Sequence, residues 1–77
     1  MLYVAQFSPD AEEARLEGLD ACRLGPGLYL IRAEQTQSEL YHRIKRAVSP
    51  DSLLVGRLAD DPKFKGMEAG ALKWLRK

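Results

Sequence analysis

Apolar and polar residues alternate at the start of the chain. Tyr3, Ala5 and Phe7 point one way along Leu2–Phe7, and Leu2, Val4 and Gln6 point the other. A period of two in a β-forming segment predicts a strand, and both of its faces are largely apolar. Ser8-Pro9 ends it. Ser8 has the chemistry of an N-cap and Pro9 that of a first helical residue. Asp10, Glu12 and Glu13 follow where a helix dipole favours negative charge. A helix to about Leu19 is expected, weakly amphipathic, with Leu16 and Leu19 on one face and Gly18 interrupting it.

Leu24-Gly25-Pro26-Gly27 is a turn signal between two short strands, Asp20–Leu24 and Leu28–Ala33. Thr36-Gln37-Ser38-Glu39 has the spacing of a capping box. The helix it opens carries Leu40, Ile44, Ala47 and Val48 at helical intervals, and Ser49-Pro50-Asp51 stops it. Ser52–Leu58 reads as a further strand and Asp60-Asp61-Pro62 as a turn. Met67, Ala71, Trp74 and Leu75 form the stripe of a short C-terminal helix.

The order β-α-β-β-α-β plus a terminal helix is the ferredoxin-like α+β pattern, here a single domain over residues 1–77. Helices on one face of an antiparallel sheet leave the other face free to bind, to meet water or to meet a second subunit. The apolar second face of the first strand favours a homodimer. So does the small core of a 77-residue chain, which buries only about 60% of its unfolded surface.

Composition narrows the class. With 45% hydrophobic and 30% charged residues the chain is globular rather than disordered. Cys22 is the single cysteine, so no internal disulfide forms, and a small hydrophobic role is its expected one. The longest apolar run, Met1 to Ala5, is far below the roughly 20 residues of a membrane helix. No signal-peptide pattern opens the chain. A cytoplasmic setting is expected. The formal charge of +1 conceals an asymmetry: residues 1–20 hold five acidic side chains against Arg15, and the remainder holds eleven basic against six acidic. This is not the strongly basic balance of a duplex-binding domain, but it provides for an acidic and a basic face.

Leu28–Arg32, the capped helix with Leu40 and Ile44, Pro50–Leu58 and the ending Trp74-Leu75-Arg76-Lys77 carry a resemblance. The arrangement resembles small ferredoxin-like SinR-like proteins, relatives of the CRISPR-associated small endoribonucleases and of VapD-type toxins. Met1–Phe7 is similar to their first strand. In the CRISPR-associated relatives that strand ends in a tyrosine–aspartate pair whose aspartate, repeated in a dimer, is the proposed metal ligand. Phe7 and Ser8 stand at those positions here. A serine hydroxyl is a poor ligand for a hard cation beside a carboxylate. The resemblance therefore implies a non-catalytic binding protein, a degenerate homodimeric relative acting on a protein or nucleic-acid partner. Its alternative is an endoribonuclease of toxin–antitoxin or CRISPR-associated type, in which Ser8, Asp10 and the basic helix are the residues to suspect.

His42, Lys45 and Arg46 lie opposite Leu40, Ile44 and Ala47, with Arg43 at the rim. These four are the candidate nucleic-acid contacts. A solvated outer face is the plainer reading, since no aromatic platform is interleaved for stacking. One histidine and one isolated cysteine do not make a metal site, and Gly25-Pro26-Gly27 lacks the spacing and lysine of a phosphate loop. Asp60-Asp61-Pro62 is turn chemistry. No cofactor or metal is expected.

Overall fold

A computed structural model describes residues 1–11 and 13–76; for Glu13 and Ala14 it describes the backbone alone. Glu12 and Lys77, invoked above for the helix dipole and for the basic ending, lie outside the described residues. The strands are β1 (Leu2–Ser8), β2 (Asp20–Gly25), β3 (Leu28–Arg32) and β4 (Ser52–Leu58), with α1 (Gln37–Val48) between β3 and β4 and α2 (Ala71–Leu75) after β4. They form one antiparallel sheet in the order β2-β3-β1-β4. This α+β architecture is compatible with a small ferredoxin-like fold.

Between β1 and β2 the expected helix is a single 3-10 turn, Glu13–Leu16. Two features account for the difference. Ser8 is the last residue of β1 rather than a cap: it pairs with Ser52, and its carbonyl accepts the Asp51 N–H at 2.7 Å. Gly18 then adopts φ +88, a left-handed conformation that ends any helix. Among the described side chains of this segment Leu16 is the buried one, with Ala11 and Leu19 packed partly against the core.

α1 forms where its signature stands. The Thr36 hydroxyl accepts the Glu39 N–H at 3.2 Å, and Glu39 Oε1 accepts the Thr36 N–H at 3.0 Å. Ser49 closes the helix in the left-handed region, its N–H bonded to the Lys45 carbonyl.

The sheet separates two apolar clusters. On the α1 side Tyr3, Ala5, Phe7, Tyr29 and Ile31 pack with Leu16, Leu40 and Ile44, and Phe7 stacks on Tyr29. On the other side Leu24 and Leu30 pack with Ala71 and Leu75, with Leu2, Val4, Cys22, Phe64 and Trp74 partly buried around them. The second face is therefore not left uncovered as the pattern of β1 suggested: the chain's own C-terminal segment lies on its β2–β3 half. Met67 is not part of the α2 stripe, for it precedes the helix and is exposed. Toward β4 the face stays open at Gln6, Ser8, Ser52 and Leu54.

No helix is long and apolar enough to cross a membrane, among the described residues.

Candidate functional site

The two residues suspected of catalysis stand apart. Ser8, exposed at the end of β1, shares a shallow groove with Gln6, Phe7, Ser52, Leu53 and Leu54. Asp10 borders a different hollow, with Pro9, Ala11, Arg15 and Val48. It precedes the 3-10 turn and does not point away from the sheet, as a first-turn helical residue would. It reaches the β2–β3 hairpin instead.

That hairpin gives Asp10 its surroundings. Oδ1 accepts the Gly27 N–H at 2.8 Å and the Ala11 N–H at 3.0 Å, and Oδ2 accepts from Arg23 Nη2 at 2.5 Å. Gly27 is in the left-handed region, φ +68, because the turn requires it. A Cβ there would fall 2.1 Å from the Phe7 carbonyl oxygen, and the Phe7 N–H donates to the Gly27 carbonyl at 2.8 Å. The other guanidinium nitrogen of Arg23 pairs with Glu68, so one cation on β2 joins the segment after β1 to the segment before α2. The hydrogen bond from Arg23, then that from Gly27, holds the Asp10 carboxyl below its ordinary pKa, and Asp10 in turn raises that of Arg23. A carboxylate held as the anion by three donors is a weak base for a substrate proton.

On α1, His42, Lys45 and Arg46 are exposed, and none of them forms an ion pair among the described residues. Arg43 departs from this group. It is half-buried, its Nη1 3.5 Å from Gln35 Oε1 and its other terminal nitrogen against Gly18. Tyr41 meets the His42 ring edge-on, centroids 5.3 Å apart, which sets one half-buried aromatic beside the cations. Its signal in the sequence is its place directly before His42, which corrects the expectation that no aromatic is interleaved with the basic residues. Lys45 and Arg46 also stand in the last turn, where the helix dipole favours cations.

A second polar cluster joins β2 and β3 to α2. The Arg32 guanidinium lies 4.2 Å from the Trp74 ring centroid and donates to the Trp74 and Leu75 carbonyls at 3.2 and 2.6 Å. Trp74 Nε1 donates to Asp20 Oδ1 at 3.1 Å. The two Arg32 bonds add to the capping at the end of α2, where the Arg76 N–H also reaches the Trp74 carbonyl. Their only sequence signal was the placement of Asp20 and Arg32 at paired ends of neighbouring strands.

Among the described residues no three His, Cys, Asp or Glu side chains gather as a metal site. The arrangement presents exposed basic side chains on α1 and a half-open sheet face toward β4. No family model, curated protein or solved structure matches this chain.

Proposed function

We propose that the protein is a non-catalytic binding module, a degenerate relative of the CRISPR-associated and VapD-type ribonucleases, that acts as a homodimer on nucleic acid. The observation that carries the reading is the outer face of α1. His42, Lys45 and Arg46 are exposed there beside Tyr41 and form no ion pair among the described residues, so phosphates can displace counterions from the two basic side chains. The commitment of Asp10 to Arg23 and Gly27, away from Ser8, supports binding over hydrolysis.

The test is incubation with mixed single- and double-stranded RNA in Mg²⁺ and in EDTA, followed by gel retardation. Intact RNA, retarded with an affinity that falls with salt, is the expected result. Each of Lys45→Gln and Arg46→Gln should lower the log–log salt slope by about 0.7 on single strands. Cleavage in Mg²⁺ that disappears in Ser8→Ala or Asp10→Asn would establish the endoribonuclease alternative instead. Absence of both cleavage and retardation would assign the partner to the protein class.

A further inference from the structure

Arg23, Arg32 and Arg43 are the half-buried arginines of this chain, and the first two are well partnered. Arg23 pairs with Asp10 and Glu68. Arg32 lies over the Trp74 ring and donates to two carbonyls of α2. Arg43, on the second turn of α1, is the exception. Among the described residues it forms no ion pair, and its hydrogen bond goes to a neutral acceptor, Gln35 Oε1, at 3.5 Å. That is longer than a well-formed N–H···O bond. A guanidinium carries five donors and a permanent charge, and withdrawing it part-way from water without an anion is costly.

Arg43 borders a hollow of about 370 Å³ between the end of the 3-10 turn and the β3–α1 connection, lined also by Gly18, Asp20, Arg32, Glu34 and Gln35. The volume lies within the roughly 300–1,000 Å³ of ligand sites. Gly18 keeps one side of the guanidinium clear, for a Cβ there would stand 3.0 Å from Arg43 Nη2. Neither carboxylate of the hollow pairs with Arg43. Asp20 accepts from Trp74 Nε1 at 3.1 Å instead, and Glu34 is exposed.

We infer that Arg43 anchors a site for a phosphate monoester, filled by the terminal phosphate of a bound RNA strand. This rests on the nucleic-acid reading above and names the part of the RNA that the protein singles out. A planar guanidinium fork matches phosphate oxygens two at a time. A monoester brings about −1.5 to −2 charges and three free oxygens, more than an internal diester offers against the opposing charge of Asp20 and Glu34. Arg46 stands one turn beyond Arg43 on α1, so a strand whose end is held in the hollow continues over the exposed cations.

Fluorescence anisotropy with one single-stranded RNA sequence, ended by hydroxyls or by a 5′- or 3′-phosphate, tests this. One phosphorylated form should bind at least about tenfold tighter than the hydroxyl-ended RNA. Inorganic phosphate, against chloride at equal ionic strength, should erase that difference. Arg43→Gln should abolish it with far-UV dichroism unchanged, whereas Lys45→Gln and Arg46→Gln should weaken all three RNAs alike. Glu34→Gln removes an exposed opposing charge and should widen the preference, so the site remains testable if Arg43→Gln misfolds. Equal binding of all three RNAs, or a preference that survives Arg43→Gln in a folded protein, would overturn the site and leave the binding reading standing. Binding of adenosine monophosphate through Arg43, with none of the RNAs bound, would do the reverse.

Discussion

Replacing Gly27 by alanine tests whether the β2–β3 turn is seated against β1 as tightly as its geometry indicates. The added Cβ would lie 2.1 Å from the Phe7 carbonyl oxygen, and the obstacle is backbone rather than a side chain that could rotate away. Holding an L-residue at φ +68 costs roughly 1–2 kcal/mol. Relieving the clash separates the turn from β1 and breaks the 2.8 Å Phe7–Gly27 hydrogen bond, for about 0.5–1.5 kcal/mol more. A loss of about 1.5–3.5 kcal/mol results, a large part of the roughly 4–12 kcal/mol that stabilises a domain of this length. The melting temperature should fall by about 10–25 °C. Gly25→Ala is the matched control, because nothing lies within 4 Å of its Cβ position and its φ is not positive. It should stay within about 0.5 kcal/mol of wild type. Urea unfolding followed by Trp74 fluorescence and far-UV dichroism measures both. Equal midpoints for the two variants would refute the argument from close approach.

Acid should weaken the fold through Asp10 and Glu39. Both folded-state pKa values are lowered, so their contribution is present above the ordinary carboxylate pKa and is lost as pH falls through the lowered values. Urea midpoints followed down to about pH 2 should decline less steeply in Asp10→Asn than in wild type, and parallel declines would contradict the Arg23 and Gly27 contacts. Thr36→Ala opens the capping box and should cost about 1 kcal/mol, read as a lower urea midpoint at unchanged slope. Arg32→Ala removes the cation over Trp74 and the donors to the last carbonyls of α2. A red-shifted Trp74 emission with most sheet dichroism retained is expected, and unaltered emission would show that α2 holds itself in place.

What could be read in the sequence follows from how local each signal is. α1 was legible because both of its ends are marked within three residues and its apolar positions repeat at helical spacing. Strands β1, β3 and β4 were legible for the same reason, each bounded by turn residues. The segment after β1 was not. Ser8-Pro9 has the chemistry of a helix start, yet the β4 partner Ser52 draws Ser8 into the ladder, and no local pattern reveals a partner 44 positions away. The coverage of the second sheet face failed for a related reason: alternation in β1 shows that a face must be covered and is silent on what covers it. At the site, residue types were legible and their neighbours were not. The exposed His42, Lys45 and Arg46 stand where helical spacing put them, whereas Arg43 turns inward to Gln35 and Asp10 is committed to a hairpin the sequence did not connect with it.

The strand pairs and the second cluster also differ in how they come apart. β1 and β3 are gripped on both sides, but α2 is a five-residue helix, too short to persist alone, and is fastened through partners 42 to 54 positions away. Such a segment can open as a unit while the sheet and the α1 cluster stay closed, a sub-global opening rather than global unfolding. Amide protons of α2 should therefore exchange with solvent deuterium well before those of Ala5, Ile31 and Ile44. Each opening uncovers Leu24 and Leu30, so the molecule presents an apolar surface transiently, without unfolding, on the side of the sheet opposite its basic helix.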